Sequence, residues 1–248
     1  MIAILSDIHG NLEALDAVLN DARTIGASTI YCLGDIIGYG PNPCECLEAA
    51  MDWQLVLRGN FEDAIVEPNR FRDWAPPLSQ MMLRLHRQIQ SHANATRIWD
   101  LLSNCVTAHS ENGNMFVHGS PRDPINEYVF PERIYDPRSL DDIFTRFDSL
   151  CFCGHSHIPG MFHNQDGEWT FLSPAEFGFQ YETSSHKLLC NVGSVGQPRD
   201  EDPRACYVLF DGKTIRYRRV DYDIQTTINK IRLGDDDDMH GDRLPVGR

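Results

Sequence analysis

Apolar runs of strand length alternate with helical patterns through the first part of the chain. Residues 1–5 are apolar and uncharged, which predicts a strand buried on both faces. Apolar residues then recur at helical spacing from Leu12 to Ala22, and Gly26 follows as a stop signal. Residues 29–33 form the next apolar run. This order is typical of a β-α-β unit, and the usual right-handed crossover predicts that its two strands are parallel.

Short strands dominate the second half of the chain. Their patterns cover residues 160–163, 168–172, 187–191, 205–210 and 214–220. Asp211 and Gly212 form a hairpin turn signal between the last two strands. These strands predict a second, largely antiparallel sheet packed on the first. The predicted fold class is therefore α/β, a two-sheet sandwich of mixed sheets in helix-sheet-sheet-helix layers.

Three further segments complete the predicted domain organisation. Residues 74–103 predict one or two helices, which either cover the sheet or form a cap or dimer surface beside the cleft, so a homo-oligomer is an open alternative. A final helix is predicted over residues 222–233. The tail, residues 234–248, contains four consecutive aspartates and is predicted to be disordered. Residues 1–233 then form the single domain.

Metal-capable side chains follow five of the apolar runs. They are Asp7 and His9 after residues 1–5, Asp35 after residues 29–33, Asn60 after residues 54–57, His118 after residues 114–117, and His155 and His157 after residues 150–153. Each motif alone is more typical of a capping Asp or a packed His. In open α/β sheets, however, sites assemble at the carboxyl ends of the strands. We therefore expect these seven side chains to converge in one cleft.

Composition and charge narrow the classes of partner. The 248 residues include 36 acidic and 22 basic ones, a net charge of −14, which argues against binding to duplex nucleic acid or to anionic membranes. No signal peptide or membrane span is apparent, so we expect a cytoplasmic protein. The eight cysteines are expected to be buried reduced thiols, with a second metal site at Cys44/Cys46 and Cys151/Cys153 as the alternative.

The motifs D-x-H, GD, GN, H-G and G-H-S-H, taken in this order, resemble the calcineurin-like metallophosphoesterase superfamily. The resemblance covers residues 1–204. Within it, the stretches GDIIGYGPNP, VHGSPRDP and NVGSVGQPRD are similar to a small prokaryotic branch described as phosphodiesterases or relatives of diadenosine tetraphosphatase. The resemblance implies a metal-dependent enzyme that acts on a small phosphorylated substrate.

The resemblance also implies how the ligands are shared between two metal ions. Asp7, His9, Asp35 and His157 would hold one ion, and Asp35, Asn60, His118 and His155 would hold the other, with Asp35 bridging. Four imidazoles suit divalent transition metals, with manganese expected first and iron, nickel, cobalt or zinc as alternatives. A hydroxide shared by the ions would attack phosphorus in line.

Basic residues near the ligands are candidates for binding the phosphate. Arg122 lies four residues after His118 and is close enough to reach a phosphate on the metals, so it joins Asp35, Asn60 and His118 as a candidate catalytic residue. Its alternative role is a structural salt bridge to Asp123 or Asp141. Arg199 is a second candidate for stabilising the phosphoryl oxygens.

One departure from the superfamily pattern limits the substrate. The motif G-N-H-[DE] contains a His that is thought to protonate the leaving oxygen, whereas this chain has Phe61. We therefore expect a phosphodiesterase that prefers activated, nucleotide-type esters. A dinucleoside polyphosphate hydrolase or phosphomonoesterase, and a weakly catalytic metalloprotein that binds a phosphorylated ligand, are the alternatives.

Overall fold

The computed structural model describes residues 1–72, 74–183, 186–234 and 239–248 of the chain. Within these residues the strands are β1 (Ile2–Leu5), β2 (Thr29–Cys32), β3 (Leu55–Val56), β4 (Ala108–Glu111), β5 (Asn114–Val117), β6 (Leu150–Cys153), β7 (Gly160–Gln165), β8 (Glu168–Leu172), β9 (Gln180–Glu182), β10 (Leu188–Asn191), β11 (Ala205–Phe210) and β12 (Thr214–Val220). The α-helices are α1 (Leu12–Ile25), α2 (Pro43–Ala50), α3 (Asn60–Val66), α4 (Pro76–Ser91), α5 (Ala95–Asn104), α6 (Pro137–Phe144), α7 (Ile224–Leu233) and α8 (Met239–Arg243).

The strands form two six-stranded mixed sheets. The first sheet has the order β3-β2-β1-β11-β12-β9, in which β1, β2 and β3 are parallel and the other pairings are antiparallel. The second has the order β4-β5-β6-β10-β7-β8, with β5, β6 and β10 parallel. The predicted two-sheet α/β sandwich is confirmed, and both sheets place the carboxyl ends of parallel strands beside the predicted ligands.

The expectation that the later strands build their own sheet is wrong for the last two. β11 pairs with β1 in antiparallel fashion, with Ile2 opposite Phe210, and β12 follows it into the first sheet. β11 is buried along its whole length. Its side chains alternate, because Ala205 and Tyr207 pack in the helix layer while Val208 and Phe210 pack between the sheets. A strand with two apolar faces fits the centre of a sheet.

Three apolar layers hold the sandwich together. Residues from both sheets, including Ile4, Leu33, Phe116 and Phe152, fill the space between them. Helices α1 to α5 cover the outer face of the first sheet, and α6 covers the second, where Leu140 packs with the β-strand core. All eight cysteines are buried free thiols, as predicted. No helix among the described residues has the length and apolar content that a membrane crossing requires.

The segment of residues 74–103 forms α4 and α5, which pack on α2 and α3. Met82, Ile89, Ile98 and Leu102 are fully buried in this layer. Most of the segment therefore covers the first sheet, which was one of its two predicted roles. Only its first residues border the cleft described below. A cap or dimer role stays a prediction.

The chain after α7 is ordered where the structure describes it. Residues 239–248 form α8 and a short 3-10 turn, Leu244–Val246, and Leu244 is buried against Ile228 and Ile231 of α7. The prediction of a disordered tail is therefore wrong for these ten residues, because Leu244 supplies an apolar contact that the acidic composition concealed. Residues 235–238, the aspartate run, lie outside the described part.

Candidate metal centre

The structure brings together all seven side chains that the sequence analysis selected. One ligand atom each from Asp7, His9 and His157 lie within 4.8 Å of one another, and so do atoms of Asp35, His118 and His155. These six residues are buried. The amide oxygen of Asn60 lies 3.3 Å from Nε2 of His118 and so joins the second group. We refer to Asp7, His9 and His157 as cluster 1, and to Asp35, Asn60, His118 and His155 as cluster 2.

The backbone at the centre adopts an uncommon conformation. Positive φ angles, between 48° and 65°, occur at five of the predicted ligands, which are Asp7, His9, Asp35, His155 and His157. This left-handed region is unfavourable for residues with a Cβ and persists only where the surroundings enforce it. Backbone hydrogen bonds supply that constraint: the amides of Asp7 and His9 donate to the carbonyls of Gly34 (3.0 Å) and Asp35 (2.9 Å). Such strain is characteristic of functional sites.

In cluster 1 the protonation of both imidazoles follows from their hydrogen bonds. Nδ1 of His9 lies 3.1 Å from the carbonyl oxygen of Ile37, and Nδ1 of His157 lies 2.5 Å from that of Gln197. A carbonyl only accepts, so in the neutral form that binds a metal we assign the proton of each ring to Nδ1. The two Nε2 atoms are then bare and face each other at 3.2 Å. Two opposed lone pairs repel each other, and a cation would satisfy both.

Asp7 supplies negative charge at this point. Its Oδ1 lies 3.1 Å from Nε2 of His157 and has no hydrogen-bond donor among the described residues. Its Oδ2 accepts from the amide of His155 at 2.9 Å. Burial opposes ionisation of this carboxyl. In the metal-free chain, hydrogen bonding with His157 and attraction to the protonated forms of the neighbouring imidazoles outweigh burial and hold the pKa of Asp7 well below its usual range. Cluster 1 is thus a carboxylate and two imidazoles with ligand atoms aimed at one point.

In cluster 2 a backbone carbonyl holds only one of the two imidazoles, that of His155, and Nδ1 of His118 has no hydrogen-bond partner among the described residues. Nε2 of His155 lies 3.2 Å from the carbonyl oxygen of Asn126, which leaves its Nδ1 bare and 3.0 Å from Nε2 of His118. Burial opposes protonation of His118, but the negative charge of Asp35 outweighs burial and raises the pKa of His118 to about 9. Burial and the positive charge of His118 together lower the pKa of His155 to about 2. In the metal-free chain His118 is therefore an imidazolium with a proton on both ring nitrogens, and a metal ion bound at Nε2 would displace the proton there.

Asp35 stands between the clusters. Its Oδ2 lies 3.4 Å from Nε2 of His118 in cluster 2 and 3.9 Å from Nε2 of His9 in cluster 1. Its Oδ1 accepts a hydrogen bond of 3.0 Å from the amide of Phe61. The backbone thus fixes one carboxylate oxygen and leaves the other facing a ligand from each cluster. This geometry suits the bridging position that the resemblance implied for Asp35.

Glu62 organises the loop that carries Asp35, and the sequence analysis gave it no role. Its carboxyl group accepts hydrogen bonds from the backbone amides of Asp35 (2.6 Å), Ile36 (2.8 Å), Ile37 (3.2 Å) and Gly59 (3.0 Å). Burial and the neighbouring Asp35 raise its pKa to about 7. The sequence did contain a signal for this role. Glu62 is the third residue of α3, and a Glu at that position of a helix is one half of a capping box.

The loop of residues 191–199 supports the ligands of both sheets. The Ser194 hydroxyl donates to the carbonyl of Asp7 (2.8 Å), and the side-chain amide of Asn191 donates to the carbonyl of Gly154 (2.6 Å). The backbone carbonyl of Gln197 accepts from the ring of His157 and so fixes its orientation. Space is equally restricted, because a Cβ on Gly154 would lie 2.6 Å from Oδ2 of Asp7. The sequence analysis used this stretch as a signature and, apart from Arg199, assigned no task to its residues. Its contacts depend on tertiary structure.

Carboxylates hold the guanidinium of Arg122, so nothing in the structure supports its predicted contact with a phosphate. Its Nε donates to Glu127 at 3.0 Å and its Nη1 to Asp142 at 3.3 Å, and Nη2 also bonds Glu127 and Ser139. These hydrogen bonds raise its pKa above the usual value. The alternative role as a structural ion pair is what the structure shows, although with Glu127 and Asp142 as partners and not Asp123 or Asp141.

Arg199 is the guanidinium that lies at the centre. Its Nη2 donates to the side-chain oxygen of Gln197 at 2.9 Å, and its Nε is buried without a hydrogen-bond partner in the described part of the chain. Two neighbouring groups sense its positive charge. Burial lowers the pKa of His9, and the charge of Arg199 lowers it further. Burial raises the pKa of Tyr39, and the charge of Arg199 partly offsets that rise. No carboxylate among the described residues pairs with it. It therefore has charge and a donor available for an anion.

A cleft opens beside cluster 2. It has a volume of about 320 Å³, and Asn60 and His155 lie on its wall together with several aromatic rings. A larger cavity of about 490 Å³ lies between β3 and α5, but none of the seven predicted ligands lines it. The smaller cleft is the one that a substrate of the clusters would occupy.

Comparisons with known proteins agree with this geometry. The sequence model for the calcineurin-like phosphoesterase superfamily domain matches residues 1–214. An uncharacterized protein of Methanocaldococcus jannaschii is 36% identical over 253 residues, which cover 100% of this chain and 98% of that protein.

Two solved structures are also similar over the whole chain. The crystal structure of a metallophosphoesterase from Sphaerobacter thermophilus has a TM-score of 0.83 and 32% identity, with 100% of this chain and 98% of that chain covered. A hypothetical protein of Pyrococcus horikoshii OT3 has a TM-score of 0.75 and 19% identity, with 100% and 99% covered. The second similarity concerns the fold alone.

Proposed function

The chain belongs to the calcineurin-like phosphoesterase superfamily, and from that premise we propose that it is a metal-dependent phosphodiesterase of nucleotide-type and other activated esters. The observation that supports this most directly is the pair of facing imidazole nitrogens in each cluster, on either side of Asp35. Imidazole and carboxylate donors in this arrangement suit a pair of transition-metal ions.

Two divalent ions, manganese first and iron, nickel, cobalt or zinc as alternatives, would supply Lewis-acid activation of water and neutralise phosphate charge. Cluster 1 with Asp35 would hold one ion, and cluster 2 would hold the other. Only Asp7 and Asp35 among the seven ligands are carboxylates, so the bound centre would keep an excess of positive charge. A phosphate is then attracted locally, although the whole chain carries −14.

The residue at position 61 favours diesters with good leaving groups. Phe61 is buried, and its ring centroid lies 5.2 Å from that of His9. It therefore occupies the position beside the centre where the superfamily motif has an imidazole, and it cannot protonate a leaving oxygen. The leaving group must then depart as a stable anion, which aryl esters and anhydrides can do and simple alkoxides cannot.

The proposed activity is tested by a substrate panel on protein loaded with Mn²⁺, after metal analysis. We expect kcat/KM for bis(p-nitrophenyl) phosphate to exceed that for p-nitrophenyl phosphate and for diadenosine tetraphosphate by about tenfold or more, because only the diester matches both the charge and the leaving-group preference of the centre. A faster reaction with the tetraphosphate or the monoester would favour those functions. Tight binding without turnover would favour a phosphate-binding metalloprotein.

Arg199 is proposed to orient the phosphoryl group. We expect Arg199→Met to lower kcat/KM for the diester by about 10²-fold, the typical loss of one charged donor at a transition state, with metal content unchanged. Arg122→Met is the matched control, because that side chain is committed to Glu127 and Asp142. Steady-state kinetics and metal analysis of both variants decide the matter. Equal losses in the two variants would contradict this role for Arg199.

A further inference from the structure

Six of the nine residues that line the cleft beside cluster 2 are aromatic or aliphatic. Its apolar lining is Tyr39, Phe61, Trp74, Ala75, Leu78 and Tyr128, which we call the ring pocket. Asn60, Asn126 and His155 supply its polar edge. Among the residues that the structure describes, no Lys, Arg, Asp or Glu lines this cleft. A phosphate in the pocket itself would therefore find no compensating charge, and the charged part of a ligand belongs at the clusters.

Aromatic contacts make one wall of the ring pocket rigid. Tyr39 and Phe61 meet edge to face with centroids 5.2 Å apart, and Phe61 and Trp74 meet in the same way at 5.5 Å. Rings that brace one another in this manner keep their faces and edges in fixed positions. The wall is thus preorganised for another flat group and does not need to collapse around it.

The opposite side of the ring pocket is joined to the metal centre. Tyr128 stacks on the ring of His155 with centroids 3.6 Å apart and lies parallel to Phe130 at 5.2 Å. Tyr128 is 39% exposed, a large fraction for an aromatic ring that adjoins a buried centre. Because His155 belongs both to cluster 2 and to the cleft wall, a group attached to a phosphate at the clusters has direct access to the ring pocket.

From these observations we propose that the ring pocket is a specificity site for one planar, uncharged ring carried by an ester substituent of the substrate, either an aryl group or a nucleobase. This inference rests on the proposed function. The volume of about 320 Å³ lies near the lower end for small-molecule sites and accommodates one ring system. The pocket thus favours an aromatic diester over a polyphosphate chain.

Binding of two phosphonates to Mn²⁺-loaded protein tests the proposal without turnover. Phenylphosphonate and methylphosphonate present the same charged group and differ by the ring. Calorimetry should show the phenyl compound bound about tenfold more tightly, as expected for one stacked ring. Leu78→Trp should abolish that ratio by filling the pocket, and Trp74→Ala should reduce it by removing a wall, while methylphosphonate binding and metal content stay the same.

Tyr135→Ala is the control, since Tyr135 is 84% exposed and does not line the cleft. It should keep the wild-type ratio. Equal affinities for the two phosphonates, or a ratio that survives in both pocket variants, would overturn the proposal. Its failure is distinguishable from failure of the proposed function. Diester turnover together with equal affinities for the two phosphonates would contradict only the role of the ring pocket. A tenfold affinity ratio without diester turnover would contradict only the proposed activity.

Discussion

Asp35→Asn is expected to lower kcat for the diester by about 10³-fold or more, since it weakens the binding of both ions at once. The Asn side chain keeps an oxygen that can accept from the Phe61 amide, as Oδ1 of Asp35 does at 3.0 Å. What it loses is the negative charge on the oxygen that faces both His9 and His118. Kinetics, metal analysis and the melting temperature with and without Mn²⁺ measure the effect, and the metal-induced rise in melting temperature should shrink.

The matched control for this experiment is Asp21→Asn. Asp21 is a partly buried carboxylate that pairs with Arg218 and accepts from Tyr207, remote from both clusters. This variant should lose some stability in the presence and absence of metal and should keep full metal content. If Asp35→Asn bound two equivalents of Mn²⁺ with wild-type affinity, the assignment of Asp35 as the shared ligand would be wrong.

Phe61→His is expected to raise the rate of alkyl diester hydrolysis by about 10²-fold, the usual contribution of a general acid. The new imidazole would stand beside His9, where the Phe61 ring now packs. The kcat for aryl diesters should change little, because p-nitrophenolate departs without a proton. A series of diesters with one constant ester group and varied leaving groups measures this, and the dependence of rate on leaving-group pKa should flatten in the variant.

Phe61→Leu separates proton donation from shape. It removes the aromatic contacts with Tyr39 and Trp74 but brings no titratable group. Only the His variant should lose rate as the pH rises through the pKa of the new imidazole, which burial beside His9 is expected to place below the usual value of about 6.5. If both variants gained equal activity on alkyl esters, access to the cleft, and not a missing acid, would limit the wild-type enzyme.

The convergence of the seven predicted ligands could be foreseen because each of them follows an apolar run. Parallel strands such as β1 and β2 end at the same edge, so Asp7 and Asp35 had to lie close together once the strands were recognised. The layered fold followed from the same alternation of strands and helices. Local pattern and general topology were sufficient for both conclusions.

The support of these ligands was not predictable in the same way. A left-handed φ at a residue such as His9 is enforced by hydrogen bonds with a distant loop, and no local propensity announces it. Likewise, the four amides held by Glu62 come from two segments of the chain. Only the capping contact to Gly59 is local, and that one alone left a trace in the sequence.

Three errors share one physical cause. Spacing told how far Arg122 could reach but not that Glu127 and Asp142 would capture it. Apolar alternation identified β11 but could not choose β1 as its partner. Acidic composition suggested disorder after α7, although Leu244 and a few contacts with distant residues, such as the bond from the Glu201 amide to the Gly247 carbonyl, anchor the segment. In each case the outcome depends on partners that are remote or few, which local composition does not record.

Neither sheet supplies a complete set of ligands. Asp7, His9, Asp35 and Asn60 follow strands of the first sheet, whereas His118, His155 and His157 follow strands of the second, and each cluster draws on both. The codons for the seven predicted ligands therefore all lie between codon 7 and codon 157 of the gene. A crossover between related genes inside that interval combines ligand loops of the first sheet from one parent with ligand loops of the second sheet from the other, and these loops did not evolve together. Recombination must therefore inherit this interval whole, together with the loop of residues 191–199, which holds Asp7 and His157 in place.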